Sequence, residues 1–276
     1  MIRGKLANLS RRIVNRLSTP RLSLWRTLYV NFRFLPFKQA KKLPIYIYGK
    51  TRIVQREAFC LNIKTDELRR GMILIGAYGE GACGNGGETE LNLVGGTICF
   101  NFKDKKGSIR IARGTSILVF GGGYLEIQEG VFINMQCNIT ASTKVIICHD
   151  SRFGPQAQLH DTSFHYITDE NGDVRRSNDS VVIGHHCVFG NRVTVSKGVT
   201  LPPFTIVGQN SLVTKNVVDK PYCLIAGSPA RLLRTGVQRI FIDNEYPVYK
   251  YFQDNREAKT VNLSDLGIRY SFDEPE

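Results

Sequence analysis

The chain has no acidic side chain before Glu57. Positions 1–56 carry fourteen basic residues, from Arg3 to Arg56, including Arg11, Arg12, Arg26, Arg33, Lys41 and Lys42. The rest of the chain, from Glu57 onward, holds 23 basic and 24 acidic groups. The formal charge of +13 is therefore a property of a basic head on a near-neutral body, which argues against a protein that coats nucleic acid over its whole surface. No apolar run is long enough for a membrane-spanning helix, so none is expected. The N-terminus lacks a compact apolar stretch followed by small residues, so no secretory signal is expected. No C-x-x-C pair occurs among the seven cysteines, which are odd in number and scattered. That pattern predicts buried free thiols in a reducing compartment, the cytoplasm, in place of a disulfide frame or a zinc site. An apolar content of 42% with 22% charged residues fits a globular chain.

What is present is a beat of six. From Ile183 the chain divides into IGHHCV, FGNRVT, VSKGVT, LPPFTI, VGQNSL, VTKNVV, DKPYCL and IAGSPA. The first positions are Ile183, Phe189, Val195, Leu201, Val207, Val213, Asp219 and Ile225, apolar with one exception. The fifth positions are small or β-branched, and Gly follows the apolar residue at 184, 190 and 208. An antiparallel sandwich needs period-two alternation with closely spaced turn signals. A fixed hexad predicts instead a β-solenoid: one short strand and one corner per hexad, three hexads per coil, apolar first residues inward. Stepping back from Ile183 by three hexads at a time gives His165, Ile147, Glu129, Ile111, Leu93 and Ile75. Near Glu129 the apolar phase slips by two positions, to Ile127, Ile133 and Ile139, which predicts one irregular corner. Residues 165–182 lack apolar residues at hexad positions and read as a solvated loop turning at Asn171-Gly172. Gly79-Glu80-Gly81-Ala82-Cys83-Gly84 reads as a turn at a coil corner, not a nucleotide-binding loop.

This pattern resembles the hexapeptide-repeat acyltransferases, and within them the group that O-acetylates sugars and bacterial surface polysaccharides. The residues that carry the likeness are Asp161-Thr162-Ser163-Phe164-His165-Tyr166-Ile167, Val182-Ile183-Gly184, Lys197-Gly198-Val199, Ser211-Leu212-Val213-Thr214-Lys215 and Ala226-Gly227-Ser228-Pro229-Ala230-Arg231. The likeness spans about residues 25–235. It implies a left-handed parallel β-helix, a homotrimer, acetyl-CoA as acyl donor and a sugar or polysaccharide acceptor. Two departures are visible: Val188 stands where the family often has Trp, and Tyr166 follows the histidine where Pro is usual.

All five histidines (149, 160, 165, 185, 186) fall in one window of the chain, between 149 and 186. A sugar hydroxyl is a poor nucleophile until a base takes its proton, and imidazole suits that task near neutrality. The resemblance makes His165 the base. Asp161, just before it, is the carboxylate expected to orient its ring, and His160 is a second candidate base or substrate contact. The resemblance also assigns Asn191 and Gln209 to the pantetheine arm of CoA, Thr214, Lys215, Arg231 and Arg234 to its anionic part, and Gln136 to the acceptor. A catalytic zinc site, as in the γ-class carbonic anhydrases that share this fold, needs three converging ligands. His185 and His186, neighbours on an expected strand, should point to opposite faces, so no metal is expected. The alternatives are a non-catalytic β-helix scaffold or binding module, and behind it a metal enzyme like the γ-class carbonic anhydrases.

The chain thus divides into a basic helical segment (1–56), a β-helix (57–235, with a loop about 166–181) and a C-terminal cap (236–276). Within LSLWRTLYVNFRFLPF, Trp25, Leu28, Tyr29 and Phe32 fall on one helical face and Arg26 and Arg33 on another. That face either lies on an anionic membrane surface, or packs on the open end of the solenoid or on a neighbouring subunit. No RNA-binding signature accompanies it, and no nucleic-acid partner is expected.

Overall fold

The computed structural model describes residues 21–55, 60–79, 87–103 and 107–272. Basic residues 3–16 and Arg56, and most of the Gly79–Gly84 turn, lie outside them.

Three sheets of nine, seven and six strands, parallel except for the last strand of the first, form the three faces of a solenoid. One coil at the C-terminal end runs Val188–Phe189 on the first face, Thr194–Val195 on the second and Thr200–Leu201 on the third. Its strands pair in register with the next coil: Phe189 with Val207, and Val195 with Val213. Both steps equal three hexads, as the repeat requires. Ile183, Phe189, Val195, Leu201, Val207, Val213 and Ile225 are all buried, at 2% exposure or less. Removing each such side chain from water contributes roughly 1.5–3 kcal/mol. Asp219, the one polar first position, is exposed, and no strand is formed there. Gly190 follows its apolar residue because the coils stack closely. A Cβ there would lie 2.6 Å from the backbone nitrogen of Gln209.

Upstream the fixed three-hexad ladder fails. Ile147 does pair with Ile183. His165, however, is no rung of it, and Ile111 and Ile75 pair with each other on the first face. Ile127 pairs with Ile147 and Ile133 with Phe153, twenty positions apart. Nearer the N-terminus the steps lengthen further, as from Ile63 to Phe100. Corners absorb any added length while the inward apolar residues stay stacked, so hydrophobic register and not residue count is preserved. The two-position slip predicted near Glu129 is such a corner, and it falls at Ala141–Lys144.

The solenoid also begins earlier than residue 57. Its first two strands, Ile45–Ile47 and Thr51–Gln55, lie within the basic segment and join the first and second faces. Helix α1 (Leu24–Phe34), capped by Ser23, lies along the first of them. Asn31 Nδ2 donates to Ile45 O at 2.7 Å, Ile45 N donates to Asn31 Oδ1 at 3.2 Å, and Ile47 N donates to Thr27 Oγ1 at 3.1 Å. These side chains satisfy a sheet edge that would otherwise be open. The packed face is Thr27, Val30, Asn31 and Phe34. Packing of the Trp25–Phe32 face on the solenoid end is thereby ruled out: that face points outward, with Trp25 78% exposed. A second short helix, α2 (Phe37–Ala40), follows.

At the other end, Ala230–Thr235 folds back antiparallel on Cys223–Gly227. Helix α3 (Ile242–Asp254) and a 3₁₀ turn (Leu263–Leu266) come next. This segment reaches back along the corner between the third and first faces. There Phe241 meets His186 edge-on, and Phe272 meets Tyr222. No helix among the described residues is long and apolar enough to cross a membrane.

Candidate active site

The predicted loop leaves the solenoid after Gln158–His160 on the second face and returns at Val181–Ile183 on the third. Its neck is closed by an isolated bridge between Thr162 and Asn178 and by Ser163 N donating to Ser177 O at 2.8 Å. Its tip is a two-stranded antiparallel hairpin, Ile167–Thr168 with Val174–Arg175, around Gly172. Parallel β-coils cannot absorb such a hairpin, so it projects from the corner.

His165 sits at the neck. It is exposed, and its imidazole hydrogen-bonds to nothing among the described residues. Ser163, Thr168, Asp169, Arg176 and Lys197 line a cleft of about 370 Å³ with it. Lys197 is fixed there by donating to Arg176 O at 2.7 Å. It is a cleft residue that the motifs do not assign. The signal that could have found it is its place three hexads before Lys215, one coil away along the same corner.

Asp161 is not the orienting carboxylate. It is fully buried and faces the irregular corner. Its oxygens accept from Ser142 N, Thr143 N, Lys144 N and Ser142 Oγ, at 2.6–3.0 Å. With those contacts the carboxylate holds the two extra residues of the corner in place and does not reach His165. His160, next to it, shares a hydrogen bond of 3.1 Å between its Nδ1 and Thr140 Oγ1. Burial pushes its pKa down, only partly opposed by the charge of Asp161.

The remaining site residues divide between two corners. Thr214 and Lys215 follow Leu212–Val213 on the second face, and so share the second-to-third corner with His165 and Lys197. Asn191 and Gln209 lie between first-face and second-face strands, on the neighbouring corner. Gln136 stands two coils from Asn191 on that same corner, accepting from Gln156 Nε2 at 3.1 Å, while Arg192 Nε donates to Gln156 Oε1 at 2.8 Å. One side-chain ladder thus runs beside Asn191 and Gln209, and Gln136 is not near His165 on its own chain. Arg231 and Arg234, on the last strand, are exposed, as are Thr214 and Lys215. Lys215, Arg231 and Arg234 make no ion pair among the described residues.

The third corner holds a different arrangement. His185 and His186 occupy the turn after Val181–Ile183, with His186 at φ 56°. The expectation that they point to opposite faces fails because they are not on a strand. Their Nδ1 atoms are 3.0 Å apart, and possible ligand atoms of His149, His185 and His186 lie within 4.8 Å of one another. His149 and His185 stack with planes 3° apart. An ion bound through a ring nitrogen lies near the ring plane, so two parallel stacked rings cannot share one ion unless one turns. His186 stands edge-on to both of these rings and stacks instead on Phe204, and Phe204 stacks on Tyr222.

No family model matches the chain. It is 26% identical over 151 residues to a galactoside O-acetyltransferase of Lactococcus lactis, covering 53% of this chain and 65% of that protein. It is 26% identical over 142 residues to a galactoside O-acetyltransferase of Escherichia coli, covering 51% and 64%. The chain thus spans just under two thirds of the length of these relatives. Among solved structures, a polysialic-acid-specific acetyltransferase, NeuO, aligns over 78% of this chain and 99% of its own, with 14% identity and a TM-score of 0.44. A hexapeptide-repeat acetyltransferase from Vibrio cholerae, in complex with acetyl coenzyme A, aligns over 52% and 70%, with 22% identity and a TM-score of 0.31.

Proposed function

We propose that this chain is an O-acetyltransferase that moves an acetyl group from acetyl-CoA to a hydroxyl of a sugar or surface-polysaccharide precursor, with His165 as general base. One observation carries the reading: an imidazole with no partner among the described residues stands in a cleft on a rigid corner, beside a hairpin that projects from the coils. The galactoside O-acetyltransferase relatives support the reaction class.

His165 accepts the proton of the acceptor hydroxyl as its oxygen attacks the thioester carbonyl. The tetrahedral intermediate collapses, the C–S bond breaks, and the imidazolium returns its proton to the departing CoA thiolate. Backbone N–H groups of a stiff coil suit the oxyanion. Lys215, Arg231 and Arg234, all exposed, would meet the phosphates of CoA, and Asn191 and Gln209 its pantetheine arm.

On one chain, the base and the arm contacts occupy different corners, separated by the second face. A homotrimer that sets the His165 corner of one copy against the Asn191 corner of the next would complete the site, and sedimentation should give three copies. We place the enzyme in the cytoplasm, with residues 1–56 in peripheral contact with the inner membrane face.

The test is release of free thiol from acetyl-CoA across a panel of sugar and nucleotide-sugar acceptors. His165→Ala should lower turnover by about 10²–10⁴ without changing the melting temperature. Near-normal turnover in that variant would remove His165 from the mechanism.

A further inference from the structure

The face of α1 that does not touch the solenoid exposes a run of large apolar side chains. Trp25 is 78% exposed, Leu24 70%, Tyr29 52% and Phe32 49%; Phe37, on α2, is 71% exposed and packs its ring on Phe32 at 6.1 Å. At about 100° per residue, Trp25, Tyr29 and Phe32 fall within an arc of about 60°. Beside that arc stand Arg26 and Arg33, and Lys38, Lys41 and Lys42 are placed just beyond it. Solenoid capping does not account for this stripe, because Thr27, Val30, Asn31 and Phe34 already perform it. Folding alone leaves six large apolar side chains of α1 and α2, Leu28 among them, exposed to water.

We infer that this face docks on an anionic lipid surface, with α1 lying in the plane of the headgroups. Two observations select this occupant. The residues are those of a headgroup boundary: Trp, Tyr and Phe for the apolar margin, Arg and Lys for lipid phosphate. And positions 1–56 carry fourteen cations and no carboxylate, which complements an anionic leaflet along the whole segment. The hydrogen bonds from Asn31 and Thr27 to the first strand make the helix a fixed platform, so docking fixes the orientation of the solenoid on the membrane. The inference identifies the partner in the peripheral contact proposed above, and it stands or falls independently of acetyl transfer.

Trp25 is the only tryptophan in the chain, so its fluorescence reports this face alone. The full-length protein would be titrated with vesicles of phosphatidylcholine alone, and of equal parts phosphatidylcholine and phosphatidylglycerol. Only the anionic vesicles should shift the emission to the blue and shield Trp25 from acrylamide, and raising the salt should reverse both effects. Co-sedimentation of Tyr29→Ser/Phe32→Ser/Phe37→Ser with the anionic vesicles should fall by roughly tenfold or more. That variant should melt like the parent and retain its thiol-release activity on a soluble acceptor. Unchanged emission with anionic vesicles would overturn the inference. So would a blue shift that grows with protein concentration in their absence, which would assign the face to a second copy of the chain.

Discussion

Asp161 and Ser142, nineteen positions apart, are joined by three contacts: Ser142 N reaches both carboxylate oxygens, at 2.8 and 2.9 Å, and Ser142 Oγ reaches one at 3.0 Å. Thr143 N and Lys144 N complete the cradle. A carboxylate in the acidic motif before His165 is thus occupied in shaping the corner beneath the loop. Asp161→Asn would set an amide N–H₂ against backbone donors. It should cost about 2–4 kcal/mol, read by chemical denaturation. Turnover of the folded fraction should fall far less than in His165→Ala. A loss as large as that of His165→Ala, with stability intact, would return Asp161 to the catalytic machinery.

His160 gives a pH dependence with a definite sign. Burial lowers its pKa in the folded chain, so the unfolded chain binds its proton more readily. Its contribution to stability is therefore complete above the unfolded value of about 6.5 and is lost as pH falls from there toward the folded value. Melting temperature should decline over that window, and His160→Gln should flatten the decline. An unaltered slope in the variant would show that other groups govern it.

Cys137 and Cys187 are buried, and burial pushes each thiol up to about 12. Neither should form thiolate or meet reagent in the native state near pH 8. Mass spectrometry after brief alkylation should find both unmodified, and both modified in denaturant. Native labelling of either would show that the coils open locally.

Gly190 tests the stacking of coils. A side chain there meets the backbone of the next coil, which cannot withdraw without parting the sheet. Gly190→Ala should destabilise by roughly 1–3 kcal/mol, as overpacking does, with a lower melting temperature. An exposed control, Gly236→Ala, has open space around its Cβ and only the strain of φ 67° to bear. Equal effects at the two positions would remove close coil approach as the cause.

The regular coils were legible because a hexad of buried residues repeats with them. Ile183 through Val213 point inward at every sixth position, and hydrophobic burial tolerates no other phase. The loop was legible from the lack of apolar residues at hexad positions between His165 and Val181. The upstream coils were not legible, since a corner can absorb a short or a long insertion without disturbing the stack, and only strand pairing shows where. For the same reason the start of the solenoid at Ile45 was hidden behind the basic composition around it. The contacts of single side chains were least legible of all. Asp161 reaches a corner formed nineteen positions earlier, and His185 and His186 meet because the chain turns at a left-handed position occupied by neither Gly nor Asn.

The solenoid, its apolar interior, the interrupting loop with His165 and the segregation of positive charge into positions 1–56 are all written in the order of the residues. All follow from local spacing and composition, which act through burial and need no knowledge of distant partners. Which face of α1 covers the sheet edge and which is left outward, which carboxylate serves the backbone, and which corner each site residue occupies emerge only when the coils are stacked. Those depend on what the neighbouring coil presents, and coils that run from three hexads upward in length place that neighbour where no fixed period can find it.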